Sequence, residues 1–126
     1  MCGIVGFVGN KQAAPILLDG LSKLEYRGYD SAGLAVRNGE DEVTVVKAEG
    51  KLFALAEKTD DGKAVAGCCG IGHTRWATHG EPSEINAHPH RSDDGNVTAV
   101  HNGIIENYQE LKVKLEKKGY SFYSAT

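Results

Sequence analysis

Only three cysteines occur in this 126-residue chain, at positions 2, 68 and 69. An odd count with two adjacent residues is a poor disulfide framework, and no CxxC spacing suggests a structural zinc site. A reducing cytoplasm is the simplest setting for such a composition. Long hydrophobic runs are also missing. None approaches the roughly 20 residues of a membrane helix, so no membrane partner is expected. The opening MCGIVGFVGN has no basic segment and meets Lys11, so no signal peptide is expected. Basic clusters are scarce: none exceeds the pair Lys117-Lys118, and 14 basic against 17 acidic residues leave a charge of −3. That balance gives no footprint for nucleic acid. The phosphate loop G-x-x-x-x-G-K-[ST] is absent as well.

What is present suits a single soluble globular domain: 40% apolar and 25% charged residues. Glycine is the anomaly. The 16 glycines are near double the usual share of about 7%. Tight turns, or close backbone approach to a ligand, would explain them.

Hydrophobic patterning predicts several short strands and three helices. Residues 2–9 read as a buried strand, and 13–26 as a helix with Pro15 tolerable in its first turn. After a turn at Arg27-Gly28-Tyr29-Asp30, residues 31–37 and 42–48 read as strands joined by the Asn38-Gly39 hairpin signal. A short helix at 51–58 and a strand at 68–74 follow. The polar, Pro-containing stretch from Arg75 to Gly95 is long for a structureless loop, which points to function. Residues 96–101 alternate as a strand. A third helix begins at an Asn107 N-cap with Glu110 completing a capping box, carries a Leu111/Leu115 stripe, and stops at Gly119. Residues 120–125 alternate as a last strand. The class is α+β.

Cys2 is the sharpest chemical feature. Removal of Met1 would leave a thiol and a free α-amine on one residue. An α-amine titrates near pKa 7.7–8.0, about where a general base for its own thiol is useful. With Met1 attached the nitrogen is an amide and cannot take a proton. The bland alternative is a small hydrophobe at a strand start. Asn102-Gly103 reads either as a hairpin turn or as an oxyanion hole built from a carboxamide N–H and the next backbone N–H. The segment His73–Gly80, HTRWATHG, holds Arg75 as a fork for a carboxylate, Thr78 and His79 as hydrogen-bonding groups and Trp76 as a large wall. Arg75 in a surface ion pair and Trp76 in a core are the competing readings. His73, His79, His88, His90 and His101 raise the question of metal, but no carboxylate or Cys stands at a convincing offset.

These features occur in one order: Cys2-Gly3-Ile4-Val5-Gly6, the stretch from Glu25 through Tyr26-Arg27-Gly28-Tyr29-Asp30 to Gly33, HTRWATHG with Glu81-Pro82-Ser83, Asn86 to His90, and His101-Asn102-Gly103 to Asn107. Across essentially its whole length the chain resembles the amino-terminal glutaminase domain of the class II glutamine amidotransferases, which are N-terminal-nucleophile hydrolases. The wording Tyr-Arg-Gly-Tyr-Asp and His-Thr-Arg-Trp-Ala-Thr-His is similar to the branch that makes an amino sugar from fructose 6-phosphate. The resemblance implies a four-layer sandwich with two antiparallel sheets between helices. It implies that Cys2 attacks the side-chain amide of glutamine and that Asn102 and Gly103 hold the oxyanion. Arg75 would bind the glutamine α-carboxylate, with Thr78 and His79 lining that pocket. Trp76 would belong to a loop that closes over glutamine and governs ammonia passage, and the Arg27-Gly28 turn would lie against the terminal amine. No cofactor and no metal are implied. Fructose 6-phosphate would bind a sugar isomerase domain absent from this chain, and the full-length protein would be a cytoplasmic homo-oligomer.

One departure is informative. The family pattern Ser-Glu-Thr-Asp is here Ser124-Ala125-Thr126, without the Asp expected to bind the α-amino group of glutamine. Residues 1–126 are therefore read as a single domain incomplete at its C-terminus, with little or no glutaminase activity alone. Another class II amidotransferase, an inactive fragment serving as a binding module, and a metal hydrolase built on the histidines are the alternatives.

Overall fold

The computed structural model describes residues 2–126; Met1, and with it the question of its removal, lies outside the described residues. The chain runs β1 (Gly3–Val8), α1 (Ala13–Ser22), a 3₁₀ turn (Glu25–Arg27), β2 (Ser31–Arg37), β3 (Val43–Glu49), α2 (Leu52–Lys58), β4 (Cys69–Arg75), β5 (His90–Arg91), β6 (Thr98–Ala99) and α3 (Tyr108–Lys117). Strands β1-β4-β2-β3 form one antiparallel sheet in that order, and β5 pairs with β6 in a two-stranded ribbon.

Strand register decides what each face does, because successive side chains alternate between faces. Val5, Gly72, Leu34 and Val46 lie across from one another and face α1 and α2. The helix-side core holds Leu17, Leu21, Leu34 and Leu55, all fully buried. Burying each such side chain is worth about 1.5–3 kcal/mol. α1 supplies Ala13, Ala14, Leu17, Leu18 and Leu21, the stripe expected of a helix packed on a sheet. On the opposite face the row is Ile4, His73, Gly33 and Lys47. There the segment 86–90 lies flat on the sheet, with Ala87 and Pro89 buried and the His88 carbonyl directly over Gly33. β2 is thus covered on both sides, which is why its Ser31–Val36 are all buried.

The α+β class and the antiparallel pairing agree with the sequence reading. Several details differ. The β2–β3 loop has five residues, since Arg37 and Val43 are the last pair. Asn38 acts through its side chain, accepting from the amides of Glu40 (2.8 Å) and Glu42 (3.1 Å), and Asp41 takes the positive φ of 62°. The helix expected over 13–26 ends at Ser22. The strand expected over 96–101 is only Thr98–Ala99. Asn107 lies outside extended backbone (φ −99°, ψ 29°) and makes no side-chain cap, so the capping box is not formed. Gly119 does end α3: its N–H bonds Glu116 O and that of Tyr120 bonds Leu115 O, a Schellman closure. Residues 120–125 form no strand. Ser121 N–H goes to the Asp93 carboxylate and Tyr123 OH is held by the Arg91 amide, so side chains and not a ladder fix this segment. Nothing on α3 is buried; its Leu111 and Leu115 stripe stays 38% and 36% exposed.

Candidate active site

Cys2 immediately precedes β1, whose Gly3 lies opposite Thr74 of β4. Antiparallel pairing therefore delivers Cys2 to the end of β4, where Arg75 leads into Trp76. The Trp76 N–H points at Cys2 Sγ (3.4 Å), and the thiol reaches Trp76 O at 3.8 Å. Cys2 is half-buried and unpaired as a thiol.

Asn102 arrives from the far end of the chain. Its Nδ2 donates to the Cys2 carbonyl at 3.3 Å, and its Oδ1 sits 2.7 Å from Nε2 of His73. Gly103 follows with φ 133°, a conformation open to glycine and strained for other residues. Cys2, the 75–79 loop and the 102–103 turn thus meet, although separated by 74 and 100 positions.

Arg75 is 4% exposed, and the 79–81 backbone wraps its guanidinium. Its N–H groups donate to the carbonyls of His79, Gly80 (3.0 Å) and Glu81 (3.2 Å). Three of five donors are so used, and the other two have no partner among the described residues. Trp76 is 52% exposed, and Thr78 and His79 are exposed beside it. The His79 ring meets Tyr108 edge-on at 5.3 Å, with Nε2 3.4 Å from the phenol oxygen, which ties the loop to α3.

Two residues here have roles that motif reading did not assign. Asp30 clamps the loop beside Cys2: its N–H bonds Arg75 O (2.8 Å) and its carboxylate accepts from Ala77 N–H (2.8 Å). Nothing in a turn sequence signals this. His73 is the other. The alternation of β4 does place it on the face shared with Ile71 and Arg75, a signal available from the sequence.

The histidines divide. His101 is exposed, whereas His73, His88 and His90 cluster: His73 stacks on His88 at 4.3 Å between ring centroids, and His90 meets His88 at 4.4 Å with its ring tilted by 59°. Burial pushes His88 down to about 3 and His90 to about 4, helped by the neighbouring cations. Burial also lowers His73, opposed by its bond to Asn102 and aided by Arg75. All three are neutral at pH 7. Among the described residues no group of three His, Cys, Asp or Glu is arranged to hold a metal ion. No helix of the described residues is long and apolar enough to cross a membrane.

Comparison with known proteins bears on the fold and the family. The glutamine phosphoribosylpyrophosphate amidotransferase of B. subtilis, solved with ADP and GMP, superposes with a TM-score of 0.80 at 30% identity, over 100% of this chain and 27% of that one. A structure described as the allosteric regulatory enzyme of purine biosynthesis gives 0.78 at 31% identity, over 98% and 27%. Curated proteins named glutamine–fructose-6-phosphate aminotransferase (isomerizing) match all of this chain: 57% identity in Clostridium acetobutylicum, 60% in Thermus thermophilus and 60% in Haemophilus ducreyi. The chain spans about a fifth (20%) of the length of these relatives. Residues 48–126 match the family described as the glutamine amidotransferase domain. With an α+β architecture shared with solved amidotransferases and a family match over more than half its length, this chain belongs to the glutamine amidotransferase domain family.

Proposed function

We propose that this chain is the glutamine-binding, ammonia-releasing part of an amidotransferase in which Cys2 is the nucleophile. The observation that carries the reading is the convergence of Cys2, the Trp76 backbone and the Asn102 carboxamide within 3.3–3.8 Å contacts. Once Met1 is removed, the α-amine of Cys2 takes the thiol proton. The thiolate adds to the side-chain amide carbon of glutamine. Negative charge gathers on the amide oxygen, where Asn102 Nδ2 and Gly103 N–H stand as donors. On collapse the amide nitrogen takes that proton from the α-ammonium and departs as ammonia, leaving a glutamyl thioester on Cys2. Water then adds and releases glutamate.

Arg75 binds the α-carboxylate through the donors that the 79–81 carbonyls leave open, and Thr78 and His79 line the pocket. Trp76, exposed beside the sulfur, is the wall that closes over glutamine. The relatives' name supports a full-length protein that passes the ammonia to fructose 6-phosphate on a separate sugar isomerase region; we read that protein as a cytoplasmic homo-oligomer. Residues 1–126 are one domain of it.

The test is labelling of the full-length protein with a glutamine-mimicking electrophile, followed by peptide mass spectrometry. A single adduct on a peptide beginning at Cys2 is expected, and Cys2→Ala removes it. Label that persists in Cys2→Ala moves the nucleophile elsewhere.

A further inference from the structure

We propose that His73 is a positioning residue that selects which end of the Asn102 carboxamide faces the reaction centre. The inference rests on the reading of Cys2 and Asn102 given above.

A carboxamide is nearly symmetric in shape: a half-turn exchanges oxygen for NH₂ with little steric change. An oxyanion hole requires the NH₂ end, since an oxygen lone pair would repel the developing charge. Packing does not make that choice here, because Asn102 sits exposed in a loop whose neighbours from His101 to Asn107 are all exposed. Hydrogen bonds must make it. On one side the Cys2 carbonyl, which can only accept, lies 3.3 Å from Nδ2. On the other, His73 Nε2 lies 2.7 Å from Oδ1, the shorter contact of the two. For that contact His73 must carry its proton on Nε2.

His73 is built to hold that tautomer in place. It is fully buried in the middle of β4, between β1 and β2, and its ring stacks on His88 at 4.3 Å. Its Nδ1 is buried with no partner among the described residues. Moving the proton to Nδ1 would bury an unpaired N–H, which proteins avoid more strongly than an unpaired acceptor. It would also turn Nε2 into an acceptor and draw the Asn102 NH₂ away from Cys2. A buried sheet residue thereby imposes donor polarity on an exposed loop residue without touching substrate.

The experiment compares glutamine hydrolysis by the full-length protein carrying His73→Phe or His73→Gln, alone and with Asn102→Ala. Phenylalanine keeps a stacked ring but cannot donate; the glutamine amide can donate from a site close to that of Nε2. His73→Phe is expected to lower kcat by roughly 10- to 100-fold, short of the hundred- to thousandfold loss of a whole donor. KM for glutamine should stay within about threefold, as for a group acting in the transition state. His73→Gln should restore most of kcat. On the Asn102→Ala background His73→Phe should cost less than about threefold more, since the residue it orients is gone. Nitrogen NMR of the unmodified protein should show a neutral His73 protonated on Nε2, a readout that survives if the Phe variant does not fold. Independent, multiplying losses, a His73→Phe enzyme with normal kcat, or an Nδ1-protonated ring would overturn the proposal. A Cys2→Ala enzyme that retains activity would instead overturn the underlying reading, so the two failures are distinguishable.

Discussion

Gly33→Ala isolates the physical reason for one glycine. A Cβ built on Gly33 would stand 2.0 Å from the His88 carbonyl oxygen and 3.1 Å from Pro89 Cδ. Ordinary contact begins near 3.4 Å, so the 86–90 strap would have to lift by about 1.4 Å. The obstacle is backbone, which cannot rotate aside as a side chain can. Overpacking of this kind costs about 1–3 kcal/mol, and the upper end applies here. In a domain of this size about 3 kcal/mol corresponds to a Tm fall of roughly 10 °C. The lifted strap also takes His88 off His73, so ordering of the Asn102 loop should weaken with stability. Gly6 is the control. It lies on the same face of the same sheet, yet nothing comes within 4 Å of its added Cβ. Gly6→Ala should be neutral or stabilising by up to about 1 kcal/mol. Chemical denaturation of the two variants makes the comparison. Equal midpoints for Gly33→Ala and the parent protein would refute the placement of the strap on β2.

Asn102→Ala should reduce kcat for glutamine by roughly 10²–10³-fold with the fold intact, measured by glutamate release in the full-length protein. Leu17→Ala removes a fully buried side chain between α1 and the sheet and should cost about 2–5 kcal/mol in denaturant titration. Stability should also fall on mild acidification. His88 and His90 titrate near 3 and 4 when folded but near 6.5 when unfolded, so the unfolded chain takes up protons first. Their contribution is fully present above pH 6.5 and is lost as pH drops toward 4. A denaturation midpoint that stays level from pH 7 to pH 5 would contradict half-buried, neutral His88 and His90.

Residues whose partners are near in sequence were readable without the structure. The β2–β3 hairpin, the presence of a helix from Ala13 and the Gly119 stop each follow from local periodicity or backbone freedom. The misread elements share a cause. Asn107 has the residue type of a cap, but the chain enters α3 with a backbone that cannot use it. Residues 120–125 alternate like a strand, but Asp93, His90 and Arg91 take their polar groups one by one.

The site divides in the same way. Residue chemistry alone determined the candidates: only a second-position cysteine can couple a thiol to its own α-amine, and only a short carboxamide followed by glycine offers two adjacent donors. That Cys2, Trp76 and Asn102 meet is a property of strand register, since β1 must pair with β4 before Cys2 lies beside the 75–79 loop. The direction of the Asn102 amide, the carbonyl ring around Arg75 and the Asp30 clamp were decided by tertiary structure alone. Each depends on hydrogen bonds between groups distant along the chain, whose geometry no local pattern of apolar and polar residues encodes.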